Sequence, residues 1–286
     1  MKKLFYVFIV ALTTLVSCAH ENDSTINEIS EECSFNELLN EIEIYNAEYG
    51  IETKANGGFW RRLGRVAAAD GLGFAIGSVG GPGVGLLSGI LSSFFAACRE
   101  IMTATYTKTT SDAIELSEDK LYSNSSQTTL SECDYLGEIH NLILEEIYED
   151  NPDCFLSLSE SQIITAIQQK LTKYFPNENV QSSAVDIDDT KDLVNVILNP
   201  DLTITQVFDN IRLRLPSMDR EIDVIEQYCA TVSSIEDNEI VIEYTDGFHT
   251  IVDESDINDD SKENIKSTVS VVGNSRLLWS ECAFEE

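Results

Sequence analysis

The chain has 286 residues, with 50 Asp and Glu against 18 Lys and Arg, a formal net charge of −32. Such an excess of negative charge is repelled by polyphosphate, which excludes nucleic acid as a partner, and it disfavours electrostatic docking onto anionic lipid. The length suffices for one substantial hydrophobic core or two modest ones.

The N-terminus reads Met1-Lys2-Lys3, then an apolar run from Leu4 to Leu12, then Thr13-Thr14-Leu15-Val16-Ser17-Cys18. A short basic head, an apolar stretch and small residues at its end describe a secretory signal. The run is shorter than the ~20 residues that a spanning helix requires. Leu15-Val16-Ser17-Cys18 resembles the lipobox of bacterial lipoproteins, which implies cleavage before Cys18 and diacylglycerol on its thiol. Residues 1–17 are then signal peptide and Cys18 is the lipid attachment site. The mature chain keeps 16 basic residues against 50 acidic ones. A diacylated cysteine carries more than one acyl chain, enough for a firm membrane hold. Ala19-His20-Glu21-Asn22-Asp23-Ser24 follows as a polar, partly acidic tether. It resembles the acidic stretches behind the lipidated cysteine of some surface-displayed Gram-negative lipoproteins, and reads equally well as a plain flexible linker. Outer-membrane attachment is the expectation, with surface display a finer one.

Residues 18–58 comprise this tether and one amphipathic helix. Ser34-Phe35-Asn36-Glu37 has the form of a capping box, and Phe35, Leu38, Leu39, Ile42, Tyr45 and Tyr49 follow at helical spacing. Residues 59–102 form the next unit. Between Asp70 and Arg99 there is no charged residue, and Gly73, Gly77, Gly81, Gly85 and Gly89 fall at every fourth position. Residues four apart share a helical face, so these glycines form a stripe along which another backbone can approach closely. Each glycine costs a helix roughly 1 kcal/mol relative to alanine, so close packing must offset the loss. Gly80-Gly81-Pro82-Gly83 is turn punctuation. The pattern predicts two short helices, roughly 60–79 and 84–101, folded back at the turn with their glycine faces meeting. Asp70 and the serines then lie at the polar edge or are buried with partners. Trp60, Arg61, Arg62 and Arg65 precede the segment and Arg99 follows it. A Trp–Arg collar beside an apolar run suits a bilayer interface; the same arginines can instead pair with the acidic body.

From residue 103 to 129 the composition turns to Ser, Thr and Asn and reads as a connection. The region 130–286 reads as helices joined by polar turns. Leu130 to Glu149 aligns Leu136, Ile139, Ile143, Leu144 and Ile147, and Asn151-Pro152 stops it. Ser159-Glu160-Ser161-Gln162 caps a helix carrying Ile163, Ile167, Leu171 and Tyr174. Asp189 to Leu198 and Thr203 to Leu213 are two shorter helices around Asn199-Pro200. Arg220 to Ile235 brings Ile222, Ile225, Cys229 and Val232 to one side. Glu239 to Val252 fits either a hairpin turning at Asp246-Gly247 or a helix with Val241, Tyr244, Phe248, Ile251 and Val252 in a stripe. No other convincing strand exists to pair with, so helix is the expectation. A last helix, about Ser261 to Ser280, carries Ile265, Val269, Val272 and Trp279. The fold class expected is all-α: a lipid-anchored N-terminus, a glycine-rich helical hairpin, then a C-terminal helical bundle.

Seven cysteines is an odd number for an exported chain, and lipidation takes one. Cys33, Cys98, Cys133, Cys154, Cys229 and Cys282 remain, allowing up to three disulfides and 15 pairings. Cys133 and Cys154 flank a predicted helix and are the first candidates for a local bridge. There is no paired CxxC, so no metal site is expected, and no cofactor motif appears. Asp186-Ile187-Asp188-Asp189-Thr190-Lys191-Asp192 begins like a calcium loop, but Lys191 and Ile197 stand where glycine and a bidentate glutamate are required. The run from Asp253 to Asp260 fails similarly; both read as helix starts. Cys133 and His140 lie two helical turns apart, roughly 10 Å, too far for a catalytic pair. His249 reads as a partly buried surface residue.

The glycine segment resembles the glycine zippers of bacterial membrane-active proteins, including bacteriocin-like peptides that insert as Gly/Ala-rich helices. The whole architecture of lipobox, acidic spacer, glycine zipper and helical C-terminal region is similar to uncharacterised Gram-negative lipoproteins. That resemblance implies a non-enzymatic cell-envelope lipoprotein. Its hairpin would associate with the membrane or with a second copy through Gly73, Gly77, Gly81, Gly85 and Gly89, and Trp60, Arg61, Arg62 and Arg65 would anchor it at the interface. The competing expectation is a soluble acidic all-α binding module at the cell surface, with the hairpin purely structural.

Overall fold

A computed structural model describes residues 31–49, 58–107, 134–177, 180–181 and 185–281. The expected signal peptide, lipid attachment site Cys18 and tether, the stretch from 108 to 133 including Cys133, and Cys282 lie outside the described residues. All regular structure among the described residues is helical. The order is α1 (31–48), α2 (Gly58–Ser78), α3 (Pro82–Thr107), α4 (Asp134–Asp150), α5 (Cys154–Ser157), α6 (Glu160–Tyr174), α7 (Ile187–Ile197), α8 (Ile204–Arg214), a 3-10 turn (Pro216–Met218), α9 (Asp219–Val232), α10 (Asn238–Glu254) and α11 (Asp259–Glu281).

Local chemistry explains most boundaries. Ser159 and Thr203 form capping boxes with Gln162 and Gln206 at the starts of α6 and α8. Asp186 accepts the backbone N–H groups of Asp188 and Asp189 to start α7, and Asp237 accepts that of Glu239 to start α10. The stretch 239–252 is therefore helix, and Val241, Tyr244, Phe248 and Val252 are buried. Two expectations need correction. The chain is already helical at residue 31, so Ser34 lies inside α1 and does not cap it. α3 runs on to Thr107, past residue 102. Neither α5 nor the 3-10 turn was legible in the periodicity, because both are shorter than the pattern needed to detect them.

The core lies in two connected clusters. One joins Phe35, Leu38 and Ile42 of α1 to apolar residues of α2 and α7 to α11. The other packs α3 against α4 and α6, with Val271 and Leu278 of α11 closing it. α11 sits where the two meet, packed against α2, α4, α9 and α10. Side chains from all around it are buried, including Ser267, Thr268, Ser270, Ser275 and Arg276.

Candidate functional site

α2 and α3 run antiparallel from the turn at Gly80 and Gly81. Gly81 has φ +104, a conformation L side chains rarely adopt, and Pro82 opens α3, where its missing N–H is harmless. Gly77 on α2 meets Gly85 on α3, while Gly73 meets Ser88 and Ser92 and Gly89 meets Asp70 and Phe74. A Cβ at Gly77 would lie 2.6 Å from the Val84 carbonyl and 2.9 Å from the Gly85 Cα. At Gly89 it would lie 2.9 Å from the Asp70 carbonyl, and at Gly73 3.0 Å from that of Ser88. At Gly85 it would meet the Phe74 ring at 2.9 Å. Four of the five glycines are thus occupied within the hairpin itself; the fifth, Gly81, lies in the turn with nothing within 4 Å and does not belong to the stripe. The outer faces are covered as well: α11 lies on α2, and α4, α6 and α7 lie on α3.

The basic flanks are placed in part. The side chains of Trp60, Arg61 and Arg62 lie outside the described residues. Arg65 is half-buried and donates to the backbone carbonyls of Asn199 and, at 2.9 Å, Leu202. Arg99, at the far end of the uncharged interval, donates to Asn195 Oδ1 at 2.8 Å. Both arginines tie the hairpin to α7 and the turn after it.

Asp70 is the one acid of the hairpin's buried interior, and its side chain is fully buried. Ser275 and Trp279, on successive turns of α11, both donate to its Oδ2, Trp279 at 3.2 Å. His140 of α4, also fully buried, brings Nε2 to 4.0 Å from the same oxygen. Burial pushes the Asp70 carboxyl up to about 7, against the opposing pull of Ser275, Ser93 and Trp279. Ser93 is close enough to favour the ionised form, although its Oγ makes no hydrogen bond of normal geometry. Burial pushes the imidazole down to about 4, opposed by Asn141 and the Gly89 backbone. Asp70 Oδ1, His140 Nε2 and Ser92 Oγ have no hydrogen-bond partner among the described residues. Neighbouring polar contacts continue the seam: Asn141 donates to the Asn274 carbonyl at 2.8 Å, Asn274 to that of Ser270 at 3.0 Å, and the Gly137 N–H to Ser270 Oγ at 3.2 Å.

Aspartate, histidine and serine therefore meet, but in the wrong order for nucleophilic catalysis. A relay needs a hydroxyl donating to imidazole and imidazole donating to carboxylate. Here Ser275 donates straight to the carboxyl, and His140 Nδ1 faces Asn141 Oδ1 at 3.1 Å. All three groups are sealed from solvent. Sequence reading picked out Asp70 and His140 separately; only the packing of α4 and α11 on α2 joins them.

The remaining candidates resolve locally. Asp186 caps α7 and Asp189 pairs with Arg214. Among the described residues no group of three or more His, Cys, Asp or Glu is arranged to hold a metal ion. His249 is more buried than its sequence context suggested, because α10 turns it inward. Cys33, Cys98, Cys154 and Cys229 are free thiols, and Cys98 Sγ donates to the Phe155 carbonyl at 2.8 Å. An open groove of about 370 Å³ between α1 and the α8–α9 pair is lined by Asn36, Asn40, Glu43, Arg212, Asp223 and Glu226. The Arg212 guanidinium is held by Asp209, Asp223 and Glu226 at 2.6–3.0 Å. No family model matches this chain, and comparison with curated proteins and with solved structures likewise gives no match.

Proposed function

We propose that this chain is a non-enzymatic, lipid-tethered cell-envelope protein whose acidic helical body is a soluble binding module, with the glycine hairpin as its core. One observation supports the choice: Gly73, Gly77, Gly85 and Gly89 are buried against the opposite helix of their own hairpin. The lipobox-like Leu15-Val16-Ser17-Cys18 supports the tether, through Cys18, to the outer membrane. Partners are neutral or cationic. Lys170, Lys173, Lys191, Arg214, Arg220 and Lys266 all sit in ion pairs with carboxylates, so the acid excess dominates what a partner meets.

A second reading keeps the hairpin as a membrane or self-association element. It is favoured by α3, whose Pro82–Arg99 stretch is long and apolar enough to cross a bilayer. In that reading the hairpin must leave its cover of α4, α6, α7 and α11. Sedimentation with liposomes and size-exclusion of the lipid-free chain from Ala19 onward separate the two. The binding-module reading expects a monomer that stays in the supernatant. Co-sedimentation abolished by Gly77→Leu and Gly85→Leu substitutions that leave the fold cooperative would overturn it.

A further inference from the structure

Cys98 and Cys154 belong to separate elements, yet their surroundings are shared. Cys98 lies on α3, half-buried, and its thiol reaches the carbonyl of Phe155, the residue next to Cys154. One helical turn before Cys98, the Phe94 ring packs on Phe155 with centroids 4.8 Å apart, and Phe155 also touches Trp279 at 5.9 Å. α5 is thereby held against α3 at the level of Cys98. Cys154 is fully buried there, and a thiolate on Cys98 would oppose ionisation of the Cys154 thiol. Cys33 and Cys229 have no such companion thiol among the described cysteines: Cys33 is exposed on α1, and Cys229 is buried in α9 beside Glu226.

We infer that Cys98 and Cys154 are a disulfide site, closed when the chain matures in an oxidising compartment and pinning α5 to α3. The compartment rests on the export reading above; the pairing rests on the geometry. It competes for Cys154 with the Cys133 bridge that sequence offered as a first candidate, and Cys133 lies outside the described residues. The chemistry needs a disulfide-bearing oxidant, RSSR. The Cys98 thiolate attacks one sulfur of RSSR and expels RS⁻, giving a mixed disulfide. The Cys154 thiolate then attacks the Cys98 sulfur and expels the second RS⁻. The two thiol protons pass to the two RS⁻ groups, so the cysteines lose two electrons and RSSR gains them. Cys98 is the first attacker because it is the more accessible. Burial pushes both thiols up, Cys154 to about 12, so closure in the folded chain is slow and quickens as pH rises.

The test takes the full chain, purified reduced, and incubates it with glutathione disulfide at pH 8.5 before alkylation and peptide mass mapping. The expected product has lost two hydrogens and yields a peptide linked through Cys98 and Cys154. Its Tm rises by about 10 °C and falls back with dithiothreitol. Cys98→Ser and Cys98→Ala each abolish the linked peptide. Alkylation of both cysteines after oxidation, or capture of Cys154 by a different cysteine, overturns the pairing. A parallel sample from acid-quenched cells separates the two premises: a pair that closes in vitro yet is reduced in cells sustains the site and counts against export.

Discussion

The α2–α3 hairpin and α11 are both buried on nearly every side, and they reach that state through opposite chemistry. The seam between the hairpin's helices excludes side-chain bulk, so Gly77 lies against Gly85, and Gly73 and Gly89 lie against the carbonyls of Ser88 and Asp70 on the opposite helix. α11 carries Ser267, Thr268, Ser270, Asn274, Ser275 and Arg276 in its middle, and most of these are buried. Several of its polar groups have partners, although Thr268 Oγ1 makes no hydrogen bond among the described residues. Ser275 bonds Asp70, and Arg276 donates to the Ile235 carbonyl at 2.7 Å and to Asn238 at 3.3 Å. Burial lowers the Arg276 guanidinium to about 10, still protonated at neutral pH. Hydropathy alone marks the first helix pair as core and the second region as surface. Burial follows position in the topology, and polar residues are tolerated at the centre when neighbouring helices supply hydrogen bonds.

Asp70 and His140 sit where these two regions join, and they give the largest expected effect. Asp70 titrates near 7 in the fold against 3.8 ordinarily, so the fold holds an extra proton between those values and loses stability as pH rises through them. His140 titrates near 4 against 6.5, so its contribution is present above 6.5 and is lost as pH falls toward 4. Between about pH 4 and 6.5 the two slopes oppose each other. Asp70→Asn unmasks the His140 slope and should lose up to about 3 kcal/mol, relative to wild type, on acidification from pH 7 to 4. His140→Gln should shift the opposite way over the same range. Urea unfolding at each pH measures both, and comparison with wild type removes the background of the −32 charge. Parallel slopes in the two variants would show that the groups do not titrate against one another.

Contact with backbone against contact with side chains supplies the next test. A methyl at Gly77 meets the Val84 carbonyl and Gly85 Cα, which cannot yield without parting the helices. At Gly273 of α11 it meets side chains only, the Tyr228 hydroxyl at 2.7 Å and the Thr245 side chain at 3.3 Å, and the buried Tyr228 ring must shift to admit it. Gly77→Ala, opposed by backbone of the other helix, should therefore destabilise by about 2 kcal/mol, beyond the helix-propensity gain, and Gly273→Ala, opposed by side chains alone, by less. Equal losses by thermal melting would erase the distinction between the two seams.

The smallest effect concerns the hairpin's basic flank. Arg65→Ala removes the donors to Asn199 and Leu202 and should cost about 1–2 kcal/mol. Arg99→Ala, at an exposed bond to Asn195, should cost less than about 1. If Arg65→Ala left the melting midpoint unchanged but lowered liposome binding, the arginine would belong to a membrane collar and the hairpin to the second reading.

Much of this was legible in residue order. Apolar spacing placed α4, α6, α9 and α10 within a few residues, because each buries one face and leaves the other to water. Capping residues Ser159 and Thr203 marked their helices directly. The Cys98–Cys154 neighbourhood was not legible, because α5 is four residues long and carries no period. Nor was the meeting of Asp70 with His140, Ser275 and Trp279, which spans the chain.

Residue order alone settled the all-helical class, the acidic surface and a charge-free segment that breaks at Gly80 to Pro82, since these depend on composition and on contacts within a turn or two. Tertiary structure alone decided which surface the glycines touch, why a serine-rich helix lies at the centre, and which cysteines are neighbours. Those outcomes depend on groups far apart in sequence, and their free energies exist only after the helices have packed.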